Sequence, residues 1–92
     1  APDKIFIGNN VAITAGTKIL THYLDPTSKG RRFRIGEVHI EDDVFIGVNV
    51  VICNSVTIGQ GAIIGAVSIV TKDIPSNKVA YGNPCRLIRD NR

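Results

Sequence analysis

Branched aliphatic side chains recur at every sixth position through most of the chain. In the longest run these positions are Ile40, Ile46, Ile52, Ile58, Ile64 and Val70, and an earlier run has Ile7, Ile13 and Ile19. A period of six fits neither an α-helix, with about 3.6 residues per turn, nor a plain strand, whose pattern repeats about every two residues. The pattern therefore indicates a repeat architecture.

Each six-residue unit has the composition of a short strand followed by a tight turn. A small or aliphatic residue stands two positions before each repeated aliphatic, as Val44 does before Ile46. Turn formers follow, as in Gly47-Val48-Asn49, and Gly and Asn tolerate the positive φ that a sharp corner needs. Three such units close a triangular coil of 18 residues, and the next coil stacks about 4.8 Å above it. The sequence predicts an all-β fold, a parallel β-helix stabilised by contacts between neighbouring coils.

The repeats are sufficient for about three coils. Residues 7–24 supply one coil, and residues 40–75 supply two more. Residues that are 18 positions apart then lie above one another and form columns inside the prism. The predicted columns pair Ile40 with Ile58, Ile46 with Ile64, and Ile52 with Val70.

Two segments depart from the repeat. Ile19 and Ile40 are 21 positions apart, which is not a multiple of six, so a loop over about 23–39 must leave the prism. A loop of this length in a compact domain is usually functional or disordered. The repeat ends after Pro75, and about 76–92 is predicted to cap the last coil with a closing strand or a short helix.

The whole chain, residues 1–92, is predicted to be a single hexapeptide-repeat domain with a small core. Its first residue is Ala1 and not Met, and the first coil begins almost at once. An uncapped coil exposes backbone groups that invite pairing. Either the start was processed or the sequence is an excerpt of a longer protein, and we expect upstream residues of the full protein to cover the first coil.

The charge pattern favours a small anionic ligand over a polymer. The formal net charge is +3, and only 5% of the residues are aromatic. Because no basic stripe follows the repeats, nucleic acid is not expected as a partner, and a phosphorylated small molecule suits the basic residues better. These residues form one group in the loop and one near the C-terminus: Lys29, Arg31, Arg32 and Arg34, and Lys72, Lys78, Arg86, Arg89 and Arg92. Ordinary solubilising charge is the alternative for each of them.

Cysteine content and hydropathy narrow the class further. Cys53 and Cys85 do not make a disulfide framework, and neither lies in a metal-ligand spacing, so no metal is predicted. No apolar run is long enough to cross a bilayer, and no signal peptide is visible. We therefore expect a cytoplasmic enzyme without membrane insertion.

Two C-terminal motifs carry a family resemblance. Residues 63–75 read IIGAVSIVTKDIP, and residues 81–89 read YGNPCRLIR. Together with the hexads they make the chain resemble the hexapeptide-repeat acetyltransferases, most of all the branch of galactoside, maltose, streptogramin and surface-polysaccharide O-acetyltransferases. The resemblance covers essentially the whole chain. It implies a left-handed parallel β-helix, a homotrimer with active sites between subunits, acetyl-CoA as donor, and a hydroxyl of a small molecule or saccharide as acceptor.

The resemblance matches His22 with the general base of the family, which stands just ahead of an excursion loop. Acetyl transfer needs a base because the attacking alcohol must lose its proton as it bonds to the thioester carbon. Histidine has an ordinary pKa near neutrality, and a positioned base contributes about 10²- to 10⁴-fold in rate. Asp25 or a backbone carbonyl would orient the ring, and this choice stays open. A polar role at the loop edge is the alternative for His22, and His39 is expected to be structural.

The resemblance also matches five residues with contacts to acetyl-CoA. They are Ala66 beside the pantetheine arm, Thr71 and Lys72 near it, and Arg86 and Arg89 at the phosphates. Arg and Lys suit exposed phosphate groups, although the two arginines also fit a solvated tail. Phe45 stands where many relatives have Trp, and Val48 stands where relatives often have a small polar residue. At Val48 one contact to the arm is therefore reduced to backbone groups.

Three other interpretations remain open. A gamma-class carbonic anhydrase uses the same prism but needs three His ligands for its zinc, whereas this chain has two His. The prism could instead be a non-catalytic trimerisation or scaffold domain. Cys53, at a turn, could carry an acyl group, but an inert thiol is the expected state because no His is predicted nearby. The acceptor is not specified, and the segment from Tyr23 to Phe33 is the part expected to face it.

Overall fold

The computed structural model of the protein describes residues 5–20, 22–24, 33–53 and 55–91. These residues form short strands and no helix. The strands, in chain order, are β1 (Ile5–Ile7), β2 (Ala12–Ile13), β3 (Lys18–Ile19), β4 (His22–Leu24), β5 (Phe33–Ile35), β6 (Val38–Ile40), β7 (Phe45–Ile46), β8 (Val51–Ile52), β9 (Val56–Ile58), β10 (Ile63–Ile64), β11 (Ile69–Val70), β12 (Lys78–Tyr81) and β13 (Arg86–Asp90). Within this described part, no helix is present that could span a membrane.

The molecule is a prism whose three sides are sheets. The first side is β1-β6-β9, the second is β2-β7-β10-β12-β13, and the third is β3-β8-β11. Neighbouring strands are parallel in all three sides, apart from β12 with β13. The chain visits the sides in this order in coil one (5–20), coil two (38–53) and coil three (56–71). This winding is a parallel β-helix, as the period of six predicts.

The inward aliphatic residues stack in the predicted columns. Ile40 pairs with Ile58, Ile46 with Ile64, and Ile52 with Val70 in the strand register. None of these side chains is more than 2% exposed, and burying a side chain of this size contributes about 1.5–3 kcal/mol relative to exposure. The residues two positions earlier in each hexad are equally buried, namely Val38, Val44, Val50, Val56 and Ala62. The core is therefore shared between coils, and no coil could bury it alone.

Coil one is covered on one face only. Its inward residues Ile7 and Ile13 are 50% and 37% exposed, although they lie in register with Ile40 and Ile46 of coil two. The strands of coil one are also the outermost strands of their sheets. This end of the prism is therefore open in the described part of the chain.

Two features mark the corners of the prism: residues in the left-handed backbone conformation, and close approach between the backbones of neighbouring coils. At most corners the third residue after an inward aliphatic has a positive φ, as at Asn49 (54°) and Val67 (60°). At Gly47 an added Cβ atom would lie 2.8 Å from the backbone nitrogen of Ala66. Glycine at this corner therefore lets the backbone of the next coil pass close above it.

The excursion is an antiparallel hairpin of β4 and β5 that leaves the prism after Leu20. The predicted loop of about 23–39 extends too far, because Val38 and His39 lie in β6 and pair with β1 and β9. Val38 occupies an inward repeat position and is fully buried. Because the side chain of Val38 is buried in the core, residues 38 and 39 belong to coil two and not to the loop.

The cap is a second hairpin. β12 extends the second side in parallel register with β10, and β13 returns antiparallel to β12. Ala80 of β12 lies above Ile64 and is fully buried, so this strand closes the top of the second side. Of the two predicted forms of the cap, the structure has the closing strand and not the short helix.

Candidate active site

The β4–β5 hairpin leaves the prism at the corner between the third and first sides. In coil one this corner follows Leu20, whose amide donates to the carbonyl of Ile52 at 2.8 Å. The coils above place Cys53 and then Thr71 at the same corner. The Cys53 amide donates to the carbonyl of Val70, the last residue of β11, at 2.9 Å, and Thr71 follows Val70. Coils are about 4.8 Å apart. The start of the hairpin at His22 and the residue Thr71 therefore share one edge of the prism, two coils apart.

An open groove lies at this corner between coil three and the cap, and we call it the corner groove. Its lining residues are Thr71, Lys72, Pro84, Cys85, Arg86 and Leu87, and its volume is about 490 Å³. Three of the predicted donor contacts, Thr71, Lys72 and Arg86, are thus brought together from two separate motifs. Lys72 and Arg86 are both exposed. Their positive charges, which line one groove, suit a phosphate group.

A turn over residues 82–85 forms the upper wall of the corner groove. It takes the place of a fourth strand on the third side: the Gly82 carbonyl accepts from the Ile69 amide at 3.0 Å, and the Cys85 amide donates to the Ile69 carbonyl at 2.8 Å. Gly82 has a φ of 113°, which L side chains rarely adopt. This turn sets where β13 begins, and so where Arg86 enters the groove.

Cys85 is half-buried in the same wall. Its side chain packs against the aliphatic core, and burial raises the pKa of its thiol above the ordinary value. The thiol is therefore protonated at neutral pH, and only a thiolate would be an effective nucleophile. Cys85 serves the groove as a packing group.

The other two predicted donor contacts lie apart from the corner groove. Ala66 is exposed at the corner between the second and third sides, at the opposite end of the third side from Thr71. Arg89 lies on β13, and its guanidinium donates to the carbonyl of Asp90 at 3.0 Å. Neither residue lines the groove. A ligand that contacts both Ala66 and Arg86 would have to extend along the third side.

Three residues of the groove wall were not selected from the sequence: Pro84, Cys85 and Leu87. They belong to the motif at residues 81–89, but the charge argument selected only the arginines of that motif. Only their place in the motif at residues 81–89 could have pointed to them, because neither the period of six nor the charge pattern marks these positions.

His39 belongs to a different surface, on the first side. Its ring stacks on Phe6 with centroids 4.6 Å apart, and its Nε2 lies 3.0 Å from Glu37 Oε1. Phe6 and His39 line a cavity of about 470 Å³ together with Glu41 and Asp42. The carboxylates give this cavity a charge opposite to that of the corner groove. These contacts fit the structural role expected for His39.

His22 is described as the first residue of β4, where it pairs with Ile35 of β5. The position of its imidazole lies outside the described part of the structure, as do Asp25 and residues 25–32 in general. The assignment of His22 as general base therefore stays a prediction. No group of three metal-ligating side chains occurs among the described residues.

Comparison with known proteins identifies the repeat. The family model for the bacterial transferase hexapeptide (six repeats) matches residues 37–72, which span coils two and three. The galactoside O-acetyltransferase of Escherichia coli K12 is 44% identical over 88 residues, which are 96% of this chain and 42% of that enzyme. The chain therefore spans less than half the length of this relative.

Two solved acetyltransferase structures have the same fold. A maltose O-acetyltransferase from Clostridium difficile 630 superposes with a TM-score of 0.89 at 43% identity, over 96% of this chain and 49% of that one. A hexapeptide-repeat acetyltransferase from Vibrio cholerae, complexed with acetyl coenzyme A, gives a TM-score of 0.88 at 34% identity, over 96% of this chain and 50% of that one. Because the repeat, the C-terminal motifs and the fold all agree, this chain belongs to the hexapeptide-repeat acetyltransferases, in the branch of the galactoside and maltose O-acetyltransferases, and its prism is a left-handed parallel β-helix.

Proposed function

We propose that this protein transfers an acetyl group from acetyl-CoA to a hydroxyl of a sugar or glycan precursor, with His22 as general base. The observation that carries the proposal is the corner groove, which collects Thr71, Lys72 and Arg86 on the prism edge from which the His22 hairpin leaves. The similar Vibrio cholerae structure, which holds acetyl-CoA, supports the choice of donor. The similar galactoside and maltose enzymes support a sugar hydroxyl as acceptor.

The charge of the corner groove suits this donor. Lys72 and Arg86 would bind its phosphates through charge-assisted hydrogen bonds, with Arg89 as a further contact from β13. The pantetheine arm is long enough to extend along the third side past Ala66. Thr71, at the corner itself, would contact the donor beside its phosphates, and the thioester end of the arm, beyond Ala66, would meet the His22 hairpin of a neighbouring subunit.

The proposed reaction forms one C–O bond and breaks one C–S bond. The acceptor hydroxyl attacks the thioester carbon while His22 takes its proton, and the coenzyme A thiolate leaves. The conjugate thiol has an ordinary pKa of about 8.5, so the proton held by His22 can pass to the thiolate without a separate acid. A backbone N–H near the corner glycines would stabilise the developing oxyanion. Holding both substrates together would supply much of the remaining rate.

We further propose a cytoplasmic homotrimer with active sites between neighbouring subunits. Four apolar side chains on the second side and its adjoining corner point to solvent: Phe45, Val48, Val67 and Tyr81. Contiguous exposed apolar surface marks interaction sites, which supports burial of this side against another subunit. We also propose that a further segment of a longer chain covers Ile7 and Ile13 at the open end of coil one.

Two variants separate catalysis from donor binding. His22→Ala is expected to lower kcat by about 10²- to 10⁴-fold and to leave the dissociation constant of acetyl-CoA nearly unchanged. The double variant Lys72→Ala/Arg86→Ala is expected to weaken acetyl-CoA binding by about tenfold or more, because the phosphates lose their charged partners. Release of coenzyme A with a panel of galactosides and maltose measures kcat, and calorimetry measures the dissociation constant.

Two matched controls use the same residue types outside the corner groove. His39→Ala removes a ring on the first side, and Lys78→Ala removes an ammonium group that pairs with Asp90. Both should keep transfer and donor binding near the values of the unaltered chain. Normal turnover by His22→Ala would exclude that residue as the base. Failure of the folded, unaltered chain to bind acetyl-CoA would favour a non-catalytic scaffold domain.

A further inference from the structure

Ser68 is the one fully buried polar side chain among the residues whose side chains the structure describes, namely 5–20, 36–53 and 55–91. It occupies an inward repeat position, two residues before Val70. The equivalent positions of the other hexads are apolar, namely Val38, Val44, Val50, Val56 and Ala62. A buried hydroxyl is unfavourable unless it is hydrogen-bonded. The six-residue repeat does not require a hydroxyl here, so its hydrogen bonds indicate a separate role.

The hydroxyl of Ser68 joins coil three to the cap. Its Oγ donates to the carbonyl of Gly65 at 2.7 Å and accepts from the amide of Gly82 at 3.1 Å. Gly65 lies at the preceding corner of the same coil, whereas Gly82 is the first residue of the turn that forms the upper wall of the corner groove. One side chain therefore links the rigid repeat to the start of that wall.

The other bonds that hold this turn do not depend on the identity of a side chain. Both run between backbone groups, from the Ile69 amide to Gly82 and from the Cys85 amide to Ile69. Any residue except proline at position 69 would allow them. Only the bond to the Gly82 amide requires a hydroxyl at position 68. Without it the Gly82 amide would lose its acceptor, and the start of the turn would be held by one hydrogen bond fewer.

We infer that Ser68 is a positioning residue for donor binding: its hydroxyl fixes the Gly82 end of the turn and thereby sets Arg86 opposite Thr71 and Lys72. The inference rests on the proposed function, which assigns the corner groove to acetyl-CoA. Ser68 itself does not line the groove. It acts through the turn, so its loss should weaken donor binding and leave the chemistry of bound substrates intact.

A pair of variants with the same shape isolates the hydroxyl. Ser68→Thr keeps the hydroxyl and adds a methyl group, whereas Ser68→Val adds the same bulk and removes the hydroxyl. Val50, one coil below in the same column, shows that a branched side chain fits this inward position in the coil beneath. We expect Ser68→Val to raise the dissociation constant and the KM of acetyl-CoA by about five- to tenfold over Ser68→Thr, with kcat nearly equal in the two variants.

Amide hydrogen exchange gives a readout that does not depend on activity. The Gly82 amide should exchange at least about tenfold faster in Ser68→Val than in Ser68→Thr, because it has lost its acceptor. The Gly47 amide donates to the Ile64 carbonyl and serves as the internal control. If the added methyl group prevents folding of both variants, Ser68→Ala removes the hydroxyl without added bulk, and it should show the same two changes relative to the unaltered chain.

The outcomes separate this inference from the proposed function. If the unaltered chain binds acetyl-CoA and Ser68→Val binds it as tightly as Ser68→Thr, the inference is overturned and the proposed function stands. Equal Gly82 exchange in the two variants would likewise overturn it. If the folded, unaltered chain binds no acetyl-CoA, the proposed function fails, and the role of Ser68 in donor binding fails with it.

Discussion

The corner residues show how stacking overrides local preference. The third residue after an inward aliphatic has a positive φ in every coil, and at most corners it is an asparagine, an aspartate or a glycine: Asn10, Gly16, Asp43, Asn49, Gly61 and Asn77. Val67 has the same conformation, with a φ of 60°. The left-handed region costs an ordinary L residue about 1–2 kcal/mol, and a β-branched residue is rare there. The Val67 amide donates to the Val48 carbonyl at 2.9 Å, and this ladder bond helps to hold the unfavourable conformation.

Val67→Asn is therefore expected to stabilise the protein. Within one chain Val67 is 69% exposed, so little burial inside the chain is lost, and asparagine tolerates the left-handed conformation. In the Phe45→Lys background, where the proposed contact between subunits is broken, we expect the free energy of unfolding in urea to rise by about 1 kcal/mol. Ser55→Val makes the opposite change at another corner, where φ is 60°, and it should lower that free energy by a similar amount. An unchanged or lower stability of Val67→Asn would show that the valine is not strained.

Within the coils, position in the stack decides how much each aliphatic contributes. Ile13, Ile46 and Ile64 lie in one column of the second side. Ile46 has a coil on both faces and is fully buried, whereas Ile13 has a neighbour on one face and is partly exposed. The same residue type in the same register should therefore differ in its contribution to stability.

Ile46→Ala is expected to lower the free energy of unfolding by about 2–5 kcal/mol, through lost burial and the cavity left behind. In the 92-residue chain, taken without the covering segment proposed above, Ile13→Ala should cost clearly less, because part of its side chain is already in water. Urea unfolding of both variants under the same conditions checks the difference. Equal losses would mean that coil one is covered in solution, either by another subunit or by another segment.

The hexads and the excursion differ in how far the sequence predicted them. The period of six predicted the coils, the columns and the inward positions. Each side of the prism takes six residues, so residues six positions apart face the axis in the same way. It did not predict the β4–β5 pairing, since an antiparallel hairpin outside the prism leaves no trace in that period. It also placed the end of the loop too late, because His39 separates two inward residues and reads as polar, although it lies in β6.

At the scale of the whole molecule, exposed apolar side chains are most numerous on the second side of the prism and at the corner that follows it. The exposed apolar residues Phe45, Val48, Val67 and Tyr81 lie along the second side and the corner that follows it. A chain of 92 residues has a small core, and association is one way for such a chain to bury further apolar surface. This surface is the one that we expect a neighbouring subunit to cover.

Light scattering coupled to size-exclusion chromatography should give a molar mass about three times that of one chain, consistent with the proposed homotrimer and its burial of exposed apolar area. Phe45→Lys, which places a charge on the exposed apolar side, should shift the mass toward that of a single chain. Phe6→Lys, on the first side, is the matched control and should leave the mass unchanged. A single-chain mass for the unaltered protein would contradict the trimer.

The sequence by itself determined the prism, its columns and the family motifs, because each depends on spacing along the chain. It also selected Thr71, Lys72 and Arg86, which the structure brings to one groove. Only the tertiary structure decided that the cap folds back over β11, that Pro84, Cys85 and Leu87 form a wall, and that Ser68 holds the start of the turn. These contacts join residues from different elements of the chain. A periodic pattern specifies which way a side chain points, whereas its partner depends on how the next element packs above it.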